Sequence, residues 1–83
     1  MDDLAEALRR ARLAEINIQP ADRETLAARY GQVWDTEELA RDFEVLGFLA
    51  PYVVVRRRVD GQVGSLEFQH QPRVFFNYQP DRA

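Results

Sequence analysis

An α+β domain is what this chain predicts: two to three N-terminal helices packed on one face of a small C-terminal antiparallel β-meander. Three observations lead there. The first half carries helix caps and apolar residues at helical spacing. The second half alternates apolar and polar residues around Asp60-Gly61, a favoured two-residue hairpin turn. The length, 83 residues, suits a single small domain over 1–83, with a frayed tail expected over 79–83.

The first helix is expected from Asp2 to about Glu15. Asp2 and Asp3 suit its N-terminus, and Arg9, Arg10 and Arg12 suit its second half. Leu4, Ala7, Leu8 and Ala11 form one apolar stripe, with Leu13 on the opposite side. Ile16-Asn17-Ile18 alternates and reads as a very short strand. The second helix has Pro20 at its first position, Asp22 and Glu24 in its first turn, Arg29 in its last and Gly31 as its stop. Leu26, Ala27 and Tyr30 are its apolar side. Gln32-Val33-Trp34 is a connector. Asp35 then caps a third helix, and Glu38 completes a capping box. That helix is expected from Thr36 to about Leu46, with Leu39, Phe43 and Leu46 on one stripe and Gly47 ending it.

The remainder reads as β structure. One strand spans Tyr52 to Val59 and a second spans Gln62 to His70. A two-residue loop at Asp60-Gly61 sets Val55 opposite Leu66 and Val53 opposite Phe68, all four on one side of the sheet. Arg56 then has Glu67 as a diagonal partner, and Arg57 faces Gly64. Gln71-Pro72-Arg73 breaks the pattern before a last strand from Val74 to Tyr78. A two-residue loop there would put Phe75 in the core; a three-residue loop would bury Val74, Phe76 and Tyr78 in its place. The second is preferred because it buries three large residues. The expected core is Leu8, Leu26, Leu39, Phe43, Leu46, Val53, Val55, Leu66 and Phe68.

Helix, short strand, helix, turn, helix, then a hairpin over roughly residues 2–70 resembles the winged helix-turn-helix order. The resemblance rests on element order and not on a sequence motif. It implies that Arg56, Arg57 and Arg58, just before the hairpin turn, would contact phosphates, and that the third helix would enter the major groove. The residues of that helix argue the other way. Asp35 to Glu44 holds five acids against Arg41, and carboxylates near phosphates oppose binding.

Composition excludes several chemistries. With no cysteine there is no disulfide scaffold, thiol nucleophile, Cys-based zinc site or iron–sulfur cluster. The single histidine, His70, lies in Gln69-His70-Gln71-Pro72, which supplies neither a nucleophile nor an orienting acid, so turn packing is its expected role. No phosphate loop, zinc motif, nucleophile elbow or EF-hand loop is present. No catalytic, cofactor or metal residue is therefore assigned, no small-molecule substrate is evident, and a non-enzymatic role is expected. The net charge of −3 does not draw in nucleic acid, and no apolar run is long enough for a membrane span. A cytoplasmic location is expected. All 11 basic residues are Arg, a side chain suited to planar and stacked contacts.

The β half carries more large apolar residues than one inner sheet face can hold. The expected function is thus a small non-catalytic protein-interaction module: an adaptor, inhibitor or accessory subunit. Its contact surface would be the outer sheet face and last strand, through Tyr52, Val54, Arg56, Arg58, Phe75, Phe76 and Tyr78. The partner would be another protein or a second copy of the chain. The alternative is a winged-helix-like nucleic-acid binder using Arg56, Arg57 and Arg58.

Overall fold

A computed structural model describes residues 4–81. Asp2 and Asp3, expected to open the first helix, and residues 82–83 of the expected tail lie outside the described residues. Three helices, α1 (Leu4–Ile18), α2 (Arg23–Tyr30) and α3 (Thr36–Asp42), precede four strands. These are β1 (Phe43–Leu49), β2 (Tyr52–Arg57), β3 (Val63–His70) and β4 (Arg73–Pro80). The strands form one antiparallel meander in the order β1-β2-β3-β4, so β1 and β4 are its edges. The α+β arrangement is the expected one. Its internal details depart from expectation at each end of the helical region and in the registers of the sheet.

Ile16-Asn17-Ile18 is the last turn of α1. No strand separates the first two helices, and the winged-helix order is lost. The helix also docks by its other side. Leu8, expected in the core, is 59% exposed, whereas Leu13 is half-buried and Ile16 is buried. Arg9, Arg12, Leu13 and Ile16 share the same helical spacing as the apolar stripe. They prevail because the guanidiniums find partners on the β half: Arg9 donates to the carbonyl of Ala50 in the β1–β2 turn, and Arg12 to Glu67 of β3.

The caps of the next two helices follow local chemistry. The Asp22 side chain accepts the Thr25 N–H, so α2 starts at Arg23, later than the Pro20 expected. In α3 the capping box is complete: Asp35 accepts the Glu38 N–H at 2.8 Å, and Glu38 accepts the Asp35 N–H at 2.9 Å.

The end of α3 is the main correction. It stops at Asp42, and Phe43 turns extended to begin β1. Leu39 and Phe43 are buried as expected, but Leu46 sits at a register shift in β1 and is exposed. The strand prevails because it keeps Phe43 in the core while pairing this backbone with the whole of β2.

The β2–β3 hairpin is shifted by two residues. Val53 pairs with Leu66 and Val55 with Gly64, while Arg57 and Gln62 close a four-residue loop. Because side chains alternate with a period of two, this shift keeps every residue on its expected face. Val53, Val55, Leu66 and Phe68 are all buried together. The longer loop is held by Asp60, which accepts from Arg57 and from the Gln62 N–H, and by Gly61 at φ 75°.

In the last hairpin, His70 pairs with Arg73 across a two-residue turn, Gln71-Pro72. This is the register not preferred from the sequence. Phe75 enters the core beside Phe68, and Val74 and Phe76 point to the opposite face. They are buried nonetheless, because the helices divide between the two faces. On one face Trp34 and Leu39 cover Phe43, Val53, Val55, Leu66, Phe68 and Phe75. On the other, Ile16, Leu26 and Val33 cover Val74 and Phe76. The expectation that all helices share one face is thereby corrected. Asn77, at φ 58°, makes a bulge that returns Tyr78 to the first face, against Phe43. β4 continues through Gln79 and Pro80, where fraying was expected, and the Asp81 N–H donates to the Val63 carbonyl. No helix among the described residues is long and apolar enough to cross a membrane.

Candidate functional site

The seven residues expected to bind a partner fall into three groups. Tyr52, Val54 and Arg56 share the face of the sheet that α1 and α2 cover over β3 and β4, so the expected uncovered outer face does not exist as such. At β2, Val54 and Arg56 stay exposed and Tyr52 is half-buried. Their neighbours on β1 are Leu49 opposite Tyr52, Gly47 opposite Val54, and Glu44 opposite Arg56. The Gly47 position leaves Val54 uncovered, and Arg56 is tied to Glu44 at 2.8 Å. The expected diagonal Arg56–Glu67 pair is absent, since Glu67 is held by Arg12 and Asn77.

Phe75 and Phe76 form the second group. They are 2% and 1% exposed, one in each core, so the folded chain offers neither to a partner. The outer edge of β4 is also covered in part. Trp34 and Phe75 exchange both backbone hydrogen bonds, at 2.9 and 2.8 Å. The free edge of the sheet is therefore β1, at its other side.

That edge carries exposed apolar side chains. Val45, Leu46, Phe48 and Leu49 are all exposed, the last two at 58% and 57%. Sequence reasoning missed them by continuing α3 to Leu46. The available signal was the alternation Phe43, Val45, with Phe48-Leu49 beyond Gly47, a pattern a seven-residue helix followed by a strand satisfies equally well.

Arg58 and Tyr78 form the third group, at a cleft of about 630 Å³ between α3, the start of β1 and the β2–β3 loop. Trp34, Phe43 and Tyr78 build its wall, with rings in contact at 5.2 and 5.4 Å between centroids. Three guanidiniums line it: Arg41, Arg57 and Arg58. Asp42 accepts the Trp34 indole N–H at 3.0 Å and the Arg41 Nε at 3.3 Å. Those two bonds, Trp34's first, hold its carboxyl below the usual aspartate range. Arg57 grips Asp60 through two bonds, at 3.0 and 2.7 Å, and lies 5.3 Å over the Tyr78 ring. The Asp60 carboxyl is pushed down to about 2 by that pairing and by the Gln62 N–H. Arg58 donates its Nε to the Ala40 carbonyl and has no carboxylate partner among the described residues.

Gly64 is what lets this wall close. A Cβ there would lie 2.6 Å from the Gln79 carbonyl oxygen and 2.7 Å from the Tyr78 ring. The Tyr78 hydroxyl is buried and has no hydrogen-bond partner among the described residues.

His70 is exposed at the end of β3. Its Nδ1 lies 3.2 Å from an Arg73 nitrogen, and its ring meets Phe68 edge-on. Among the described residues no group of three or more His, Asp or Glu side chains is placed to hold a metal ion. No protein-family model matches the chain, and neither a curated protein nor a solved structure matches it.

Proposed function

We propose that the chain is a small non-catalytic protein-interaction module whose contact is made by strand pairing on the free edge of β1. The observation that supports this reading most is the coincidence of two features. β1 has a neighbour on one side only, and it carries Val45, Leu46, Phe48 and Leu49 exposed. An edge of this kind presents unpaired backbone groups along with apolar side chains that add affinity. The exposed Val54 and Arg56, beside the half-buried Tyr52, extend the surface onto the adjoining β2 strand.

A second copy of the chain is the simplest occupant. The one charge on β1, Glu44, is already neutralised by Arg56 of the same chain. Two such edges can therefore meet without like charges opposed. Sedimentation equilibrium tests this directly. The chain should form a dimer, and Phe48→Asp with Val45→Lys should leave a folded monomer. A native chain that stays monomeric at submillimolar concentration, with the β1 amides exchanging freely, would refute the proposal.

The nucleic-acid alternative has weaker support. Two of its three arginines, Arg56 and Arg57, are engaged by Glu44 and Asp60, which lowers the charge they could bring to phosphates.

A further inference from the structure

We infer that the cleft bounded by Trp34, Tyr78 and Arg58 is a binding site for a small planar aromatic monocarboxylate. This goes beyond strand pairing, because the exposed run of β1 from Val45 to Leu49 does not line the cleft.

Three properties of the cleft define the ligand. The first is size: about 630 Å³ falls inside the range of roughly 300–1,000 Å³ typical of small-molecule sites. The second is the wall. The half-buried Tyr30 and Tyr78 supply its accessible aromatic surface, backed by the buried Trp34 and Phe43. Such a surface favours a flat, polarisable body that stacks against it.

The third is charge, and it selects the anion. Arg41 is matched by Asp42 and Arg57 by Asp60. Arg58 is the lining cation left without a carboxylate among the described residues. Its Nε is used on the Ala40 carbonyl, which fixes the side chain at the C-terminal end of α3 and leaves the two terminal nitrogens as donors. A guanidinium so placed matches a carboxylate through paired hydrogen bonds. One uncompensated positive charge suits a monoanion. A phosphate dianion would bring its second charge close to Asp42, which also lines the cleft.

The chain has a single tryptophan, so one indole N–H resonance reports on the cleft without ambiguity. The experiment is a titration of the labelled protein with 2-naphthoate and, separately, with the neutral isostere 2-naphthamide. Naphthoate should shift the Trp34 resonance saturably and bind roughly tenfold more tightly than the amide, as expected for one charge-assisted contact. In Arg58→Gln that preference should vanish while the amide affinity stays the same. Arg41→Gln should retain the preference, which separates a specific Arg58 contact from general attraction to positive charge. Absence of a saturable shift with naphthoate, equal binding of the two probes by the native chain, or a preference that survives Arg58→Gln would each overturn the inference. The Phe48→Asp, Val45→Lys monomer should give the same titration, so the site and the strand-pairing proposal can fail separately.

Discussion

The guanidinium of Arg12 holds the carboxylate of Glu67 through two hydrogen bonds, 2.8 and 2.7 Å long, fastening α1 to the third strand. Glu67 is 6% exposed, and the Tyr30 hydroxyl accepts a further bond from Arg12 at 2.8 Å. The pairing with Glu67 is the main reason the Arg12 pKa is raised. A buried carboxylate stripped of its cation is costly. Arg12→Ala should therefore destabilise the fold by about 3 kcal/mol, the lower end for breaking such a pair, because a quarter of Arg12 remains in water. Replacing both partners by Met and Leu should cost far less. Urea denaturation of the three proteins checks the order, and equal losses in the single and double variants would contradict it.

Phe75 and Phe76 are neighbours in sequence, yet each is sealed into a different core. Truncation of either to Ala should cost about 3–5 kcal/mol. Phe48→Ala, on the exposed edge, should cost less than about 1 kcal/mol. If the outer face of β4 were open to solvent, Phe76→Ala would resemble Phe48→Ala in thermal unfolding.

Asp60 supplies the pH dependence of the β2–β3 loop. Its carboxyl lies near 2 in the folded chain, against roughly 3.9 for an unstructured aspartate. The folded value is the lower one, so its contribution to stability is complete above the unfolded value and is lost as pH falls through about 2. A carboxyl-carbon NMR titration should place the Asp60 midpoint near 2, and Arg57→Ala should raise it toward the ordinary value. A native midpoint near 4 would show that the Arg57 fork is absent in solution.

Gly64 faces a backbone oxygen as well as a ring, so a methyl group there cannot be accommodated by a side-chain rotation alone. Gly64→Ala should displace the end of β4 and destabilise the chain by about 1–3 kcal/mol. The same displacement should alter the Tyr78 ring resonances. An alanine variant with native Tm and unshifted Tyr78 signals would argue against this close approach.

Features encoded within a few residues were legible in the chain. The Asp35–Glu38 capping box needs only its own backbone. The inward set Val53, Val55, Leu66 and Phe68 follows from alternation, and it survived a hairpin register shifted by two because a shift of two preserves the face. Part of the candidate surface was legible for the same reason: Tyr52, Val54 and Arg56 are where alternation puts them. Competing local patterns hid the rest. Phe43 and Leu46 fit a helical stripe, while Phe43 and Val45 fit a strand. The cleft joins Trp34, Asp42, Arg58 and Tyr78 from four separate segments, and no spacing in the chain announces it.

By itself, then, the sequence determined three helix-forming segments, a β-rich C-terminal half and the inward side of its central hairpin, because caps, turns and period-two alternation are short-range physics. Tertiary structure decided where α3 yields to β1, which side of α1 docks, and which phenylalanine of Phe75 and Phe76 enters which core. Those choices are nearly balanced locally. They are resolved by distant partners: Glu67 and the Ala50 carbonyl for α1, the length of β2 for β1, and helices on both faces for β4, which together bury more surface and leave fewer backbone groups unpaired than the alternatives.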